Sequence, residues 1–228
     1  LRAKLSIFYL LAANELSTPY VCMKRKHWKD SSLTRMRVKV DIDGVLRDTF
    51  SAMVNLYNRE FDEKLQISDI ISYDSDISFP LIHERLGKPG NTWFFKEHPR
   101  ECFLAPAFPG VSEAIKELRD NGWDIIICTN QPTEAGRRYT LQFLEDNKIP
   151  YDELHFTKSK HLVSGDYLID DAPEFLMAPA RDLESRICID YPFNRGIPSD
   201  FRAKSLVEAI KLLKESSCQI LINDEHEK

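Results

Sequence analysis

Two aspartates one residue apart, Asp41 and Asp43, stand between an apolar run and a glycine in Val40-Asp41-Ile42-Asp43-Gly44-Val45-Leu46. A second acidic pair, Asp170-Asp171, closes the run Tyr167-Leu168-Ile169. Between the two pairs, Thr129 and Asn130 follow Ile125-Ile126-Ile127-Cys128, and Lys158 and Lys160 follow Leu154-His155-Phe156. Carboxylates gathered in one place repel each other unless a cation sits among them, and ligands that are all oxygen suit Mg²⁺. A divalent ion, a lysine and a hydroxyl together make a site for a phosphate group. Each piece alone has a plainer meaning. Asp41-x-Asp43-Gly44 could be an acidic turn, Asp170-Asp171-Ala172-Pro173 a helix start, and the two lysines solvated surface. An EF-hand is excluded, because Ala52 stands where the loop's twelfth residue should be glutamate.

The phosphate reading needs elements that bring these residues to one rim. From residue 36 onward the chain alternates strand-like and helix-like segments. Strands are expected over 37–42, 123–128, 154–156, 167–169 and 187–189. Helices are expected over 111–121, 135–147 and 205–213, where apolar residues recur at helical spacing. This rhythm predicts a parallel sheet with right-handed crossovers. In such a sheet ligands bind outside the carboxyl ends of the strands, and all the residues above directly follow strands. The stretch 48–108 breaks the rhythm. Its roughly sixty residues exceed what a crossover needs, so it reads as a small, mainly helical cap inserted after the first strand.

The 228 residues, 43% hydrophobic and 29% charged, describe an ordinary globular chain. With 31 basic against 36 acidic residues the net charge is −5, which argues against long nucleic acids as partners. Neither a P-loop nor a dinucleotide fingerprint is present, nor H-E-x-x-H or G-x-S-x-G. The five cysteines are scattered and include no C-x-x-C, which fits a reducing, cytoplasmic setting. No apolar run approaches the ~18 residues of a membrane span. Leu5–Ala13, behind Arg2 and Lys4, lacks a small-x-small cleavage site. The basic cluster at 24–29 reads as a solvated patch. Residues 1–35 are expected to be a non-catalytic extension, because Met36 directly precedes the first strand. The core domain is then 36–47 with 109–216, the cap 48–108, and 217–228 a tail.

Asp-x-Asp-Gly-x-Leu after one strand, Thr-Asn after a second, a lysine, and Asp-Asp after a third resemble the four motifs of the haloacid dehalogenase (HAD) superfamily. The likeness covers about 37 to 175. Shorter strings resemble a narrower group, the 5′(3′)-deoxyribonucleotidases of the cytosolic type C 5′-nucleotidase family. These strings are Ile126-Ile127-Cys128-Thr129, Thr157-Lys158-Ser159-Lys160 ahead of Gly165–Asp171, Phe103 leading to Pro109-Gly110, and Asn194 after Tyr191-Pro192-Phe193. One departure is Asn130-Gln131-Pro132, where those nucleotidases carry Ser-Pro after the motif threonine.

The resemblance implies a Rossmann-like three-layer α/β/α HAD core and an Mg²⁺-dependent phosphatase acting on nucleoside or deoxynucleoside monophosphates. It makes Asp41 the nucleophile and Asp43 the acid that protonates the leaving oxygen and later activates water. Mg²⁺ would be held by Asp41, the backbone carbonyl of Asp43 and Asp170, with Asp171 orienting them. Thr129, Asn130 and a lysine would hold the phosphate. Either lysine suits the chemistry, and the distance from Lys160 to the Asp170-Asp171 pair matches the nucleotidase pattern better than that of Lys158. Phe50, Trp93 and Phe103 could stack on a base, although buried aromatics more often serve packing. The partner would be a small phosphomonoester and neither a membrane nor a long nucleic acid; a homodimer is compatible with this reading. Sugar phosphates, a phosphomutase reaction and a non-catalytic binding role are the alternatives.

Overall fold

The structure, a computed structural model, describes residues 35–179 and 184–215. The expected extension, apart from Arg35, and the expected tail at 217–228 lie outside the described residues.

In chain order the elements are β1 (Arg37–Val40), α1 (Thr49–Phe61), α2 (Ser75–Ser78), α3 (Pro80–Leu86), α4 (Gly90–Thr92), α5 (Pro99–Phe103), α6 (Val111–Asp120), β2 (Asp124–Thr129), α7 (Glu134–Asp146), β3 (Glu153–Phe156), β4 (Tyr167–Asp170), α8 (Pro173–Leu176), β5 (Ser185–Ile189) and β6 (Phe201–Ala203). A last helix, α9, occupies 206–215. The six strands form one sheet in the order β3-β2-β1-β4-β5-β6, with every pair parallel. β1 lies at its centre, with Val40 level with Ile127 of β2 and Ile169 of β4.

Alternation along β1 decides which face each residue serves. Val38 and Val40 join a core with Ile125, Ile127, Ile169 and Ile187, covered by α6, α7 and α9 through residues such as Ile115, Phe143 and Ile210. The opposite face is covered more thinly, by the 3₁₀ turn Lys160–Leu162 and by α8, where Phe175 packs on Leu168 and Ala172. Lys39 points to that thin side. It is buried, donates to the carbonyl oxygens of Lys160 and Val163 at 2.9 Å each, and pairs with Glu184 at 2.5 Å. A strand lysine thus holds the loop that carries another lysine.

Between β1 and β2 the chain forms α1 to α5 around a second apolar cluster of Met53, Leu56, Tyr57, Phe61, Ile70, Phe79, Ile82, Trp93, Phe94 and Cys102. Asp48 opens α1 by accepting from the Ser51 amide, and Asp62 closes it in the left-handed conformation. A single i→i+5 turn through Trp93–Glu97 joins α4 to α5.

Candidate active site

β1 ends at Val40, and the Asp41 amide still donates to Ile169 O at 3.0 Å, so Asp41 stays locked to the sheet. The chain then turns sharply: the Leu46 and Arg47 amides both donate to Ile42 O at 2.9 Å. Gly44 sits in this turn with φ +75°, and a Cβ there would meet the Phe50 ring at 2.7 Å and the Asp171 carboxylate at 3.0 Å. Only glycine lets the turn pass beneath both. Tyr191 fixes the turn from outside by donating its hydroxyl to Gly44 O at 2.9 Å.

Two other strand ends converge on Asp41. β4 brings Asp170 and Asp171, and the loop after β3 brings Lys160. Lys160 is 1% exposed, and its ammonium contacts Asp41 Oδ1 at 2.8 Å and Asp170 Oδ2 at 2.6 Å. Lys158, in contrast, is exposed, which leaves Lys160 alone of the two at the rim. One carboxylate oxygen from each of Asp41, Asp170 and Asp171 lies within 4.8 Å of the other two, all three residues being buried. Asp170 Oδ1 also accepts from the Ala172 amide in the turn before α8; Pro173 opens that helix as expected, but its N-cap is Ala172, and neither aspartate caps it. Asn194 ties down the far side, its amide donating to Asp171 O and Ile189 O at 2.8 Å each.

Burial dominates the electrostatics. It pushes the Asp41 carboxyl up to about 7; Lys160 draws it back down, while Asp170 and Asp43 push it up. Asp171 is raised well above the usual carboxylate range by burial and by the charges of Asp170 and Asp41. For Lys160, burial works toward deprotonation, but Asp170 and Asp41 outweigh it and hold the ammonium above its ordinary value. One ammonium cannot balance three crowded carboxylates. Asp171 Oδ2 is buried with no hydrogen-bond partner. An oxygen-only cluster with an orphaned acceptor fits a hard divalent cation.

Above the rim lies a cavity of about 660 Å³. Asp41, Asp43, Thr129, Asn130, Lys160 and Asp171 form its floor, and Phe50, Met53, Phe79, Phe95, Phe103 and Phe175 its apolar walls. Phe50 and Phe103 therefore stand where they could touch a base. Trp93 does not. It is 2% exposed and packs against Phe61, Phe94 and His98, away from the cavity lining, so its expected role as a base contact is replaced by packing. Gln131, not anticipated from sequence, lines the cavity and donates to Asp43 Oδ2 at 2.6 Å. The one available signal was the extra residue between the motif threonine and Pro132.

Residues 35–218 match the family model described as "5′ nucleotidase, deoxy (Pyrimidine), cytosolic type C protein". Among curated relatives, a candidate 5′(3′)-deoxyribonucleotidase of Chlorobaculum tepidum is 26% identical over 78% of this chain and 89% of its own length. A candidate 5′(3′)-deoxyribonucleotidase of Bordetella bronchiseptica is 33% identical over 70% of this chain and 86% of its own. Among solved structures, a HAD-type hydrolase of Bacillus subtilis bound to magnesium aligns with a TM-score of 0.52 at 14% identity, covering 78% of this chain and 98% of that one. The last comparison speaks for the fold alone. The family match spans most of the chain, and the chain belongs to that family: it is a HAD-superfamily phosphoric monoester hydrolase of the 5′-nucleotidase type.

Proposed function

We propose that this family member hydrolyses nucleoside or deoxynucleoside monophosphates, with Mg²⁺, through a phosphoryl group carried transiently on Asp41. The observation that carries the proposal is a buried Asp41 paired with Lys160 on the floor of a cavity whose walls are aromatic. Such a cavity offers charge for a phosphate at the bottom and rings for a base above. The fold neighbour bound to magnesium and the carboxylate cluster support the choice of cation. Asp41, Asp170 and the backbone carbonyl of Asp43 would hold the ion, with Asp171 orienting them. When bound, Mg²⁺ neutralises the rim and polarises phosphate oxygens.

The chain's own residues divide the remaining work. An Asp41 carboxylate oxygen attacks phosphorus and the bond to the ester oxygen breaks. Asp43 gives its proton to the departing alkoxide. Water then attacks the phosphorus of the aspartyl phosphate, Asp43 takes the proton from that water, the bond between Asp41 and phosphorus breaks, and Asp41 is restored as inorganic phosphate leaves. Lys160, the Thr129 hydroxyl and Asn130 hold the phosphate oxygens throughout. The helical segment 48–108 acts as a cap that excludes water and selects the substrate.

Phosphate release from a panel of dNMPs, NMPs and sugar phosphates, with and without EDTA, tests this function. Turnover of nucleotides that EDTA abolishes is expected. Faster turnover of sugar phosphates, or turnover that EDTA leaves intact, would contradict it.

A further inference from the structure

Arg47 has no part in that chemistry, yet it is the largest fully buried side chain in the turn after β1. Its guanidinium lies between the rings of Phe103 and Phe143, 5.2 and 5.0 Å from their centroids. One nitrogen, Nη1, donates to Phe103 O at 2.7 Å. The other two share one acceptor, Nε and Nη2 donating to Asp43 Oδ1 at 3.0 and 2.8 Å, with longer contacts of the guanidinium to the hydroxyls of Thr49 at 3.4 Å and Thr140 at 3.4 and 3.5 Å. The Thr49 hydroxyl donates to the same oxygen. Asp43 is the one carboxylate paired with Arg47 among the described residues. A buried guanidinium needs such a counter-ion, since a charge left unpaired in an apolar setting is strongly destabilising.

The two oxygens of Asp43 thus have different surroundings. Oδ1 is gripped by three donors, two of them from a side chain wedged between rings. Oδ2 meets only Gln131, itself a wall of the cavity. Aspartate is short, and its carboxylate otherwise rotates freely. The grip on Oδ1 leaves one orientation, with Oδ2 toward the substrate.

We propose that Arg47, assisted by Thr49, is a positioning residue that anchors Asp43 by Oδ1 and so makes Oδ2 the oxygen that passes protons to and from the reacting groups. This rests on the acid–base role given to Asp43 above. Arg47 does not line the cavity and need not touch substrate. Its contribution is geometric, and an error of about 1 Å in such a group can cost about 10²-fold in rate.

The consequence depends on the leaving group. A nucleotide's sugar alkoxide needs the proton that Asp43 delivers, whereas nitrophenolate departs without it. Loosening Asp43 should therefore slow nucleotide hydrolysis and spare the first step with 4-nitrophenyl phosphate. The variants Arg47→Met, Arg47→Lys and Thr49→Val would be compared with the unmodified full chain in saturating Mg²⁺. Recorded for each are kcat and KM for a deoxynucleoside monophosphate, the stopped-flow rate of the first nitrophenol equivalent, and the melting temperature.

Expected is a fall in nucleotide kcat of about 10²-fold for Arg47→Met and about threefold to tenfold for Thr49→Val, with KM steady and the nitrophenol step within about threefold. Arg47→Lys should recover part of the loss. Should Arg47→Met fail to fold, Arg47→Lys and Thr49→Val decide the matter by the same ratio. Equal losses on both substrates, or no loss on the nucleotide, would overturn the positioning role while leaving the phosphatase reading intact. An unmodified chain inert toward both substrates would overturn both.

Discussion

At the rim of the sheet the buried side chains are charged: Asp41, Asp170, Asp171 and Lys160 are each at most 6% exposed. In the helical segment between β1 and β2 they are aromatic and aliphatic, and ring meets ring at varied angles, from the stacked pair Phe95–Phe103 to the edge-on pair Phe79–Phe94. The rim is held by strand register and short charged contacts, so its geometry has one solution. Apolar packing of short helices tolerates adjustment, since volume and not direction is what it conserves. The contrast teaches where each kind of failure should arise. Loss of the nucleophile at the rim should disable every substrate alike, loss of the proton-handling Asp43 should discriminate by leaving group, and a substitution in the segment should discriminate by base.

The largest expected effect lies at the rim. Asp41→Asn removes the nucleophile, so phosphate release from nucleotides and from 4-nitrophenyl phosphate should both fall to background. Residual activity toward either would separate Asp41 from the chemistry. In the segment, Phe50→Ala should raise KM for a deoxynucleotide about tenfold, given ~1–3 kcal/mol for a base stacked on a ring. Deoxyribose 5-phosphate, which has the sugar and no base, should be hardly affected. Equal damage to the two would mean that Phe50 serves the rim, for instance by supporting Gly44, and would blur the contrast.

The smallest effect is on stability and comes from the rim's charge. Asp41 in the folded chain titrates near 7, above its ordinary 3.8. Between those values the folded state keeps a proton that the unfolded state releases. The stability this adds is complete below about pH 4 and lost as pH rises through 7. Asp171 acts in the same direction. Mg²⁺ must displace these protons, so it should raise the melting temperature more above pH 7 than near pH 5. In EDTA, Asp171→Asn should melt higher than the unmodified chain once the pH is high enough to ionise Asp171, because a crowded like charge is then gone. A Mg²⁺ effect independent of pH would contradict the cation's place among these carboxylates.

What the sequence revealed follows the same division. Rim residues are tethered to strand ends, and strands declare themselves by apolar runs such as Ile125–Cys128, so Asp41, Thr129, Lys160, Asp170 and Asp171 are legible from the sequence alone. The three-residue β6 went unseen because Phe201-Arg202-Ala203 has no apolar run to betray it. Arg47 gives no signal in the sequence, since nothing in its neighbours indicates that its side chain folds back under Asp43. In Trp93-Phe94-Phe95 the i→i+5 turn breaks helical spacing. Which ring faces the cavity was therefore unreadable, and it is Phe95, not Trp93, that does. Parallel register can be inferred from a chain alone, whereas the route of a long side chain depends on packing that local sequence does not encode.

The proposed chemistry has Asp41 carry the phosphoryl group while Asp43 handles protons. Asp43→Asn should separate these roles, because nitrophenolate leaves unaided but water attacking the aspartyl phosphate still needs a base. The measurement is the intact mass of Asp43→Asn enzyme quenched in acid seconds after mixing with 4-nitrophenyl phosphate and Mg²⁺, followed by peptide mapping. The account predicts an added phosphoryl group, at most one per chain, on the peptide that contains Asp41. No added mass alongside a nitrophenol burst, or a phosphoryl group on any other peptide, would contradict it.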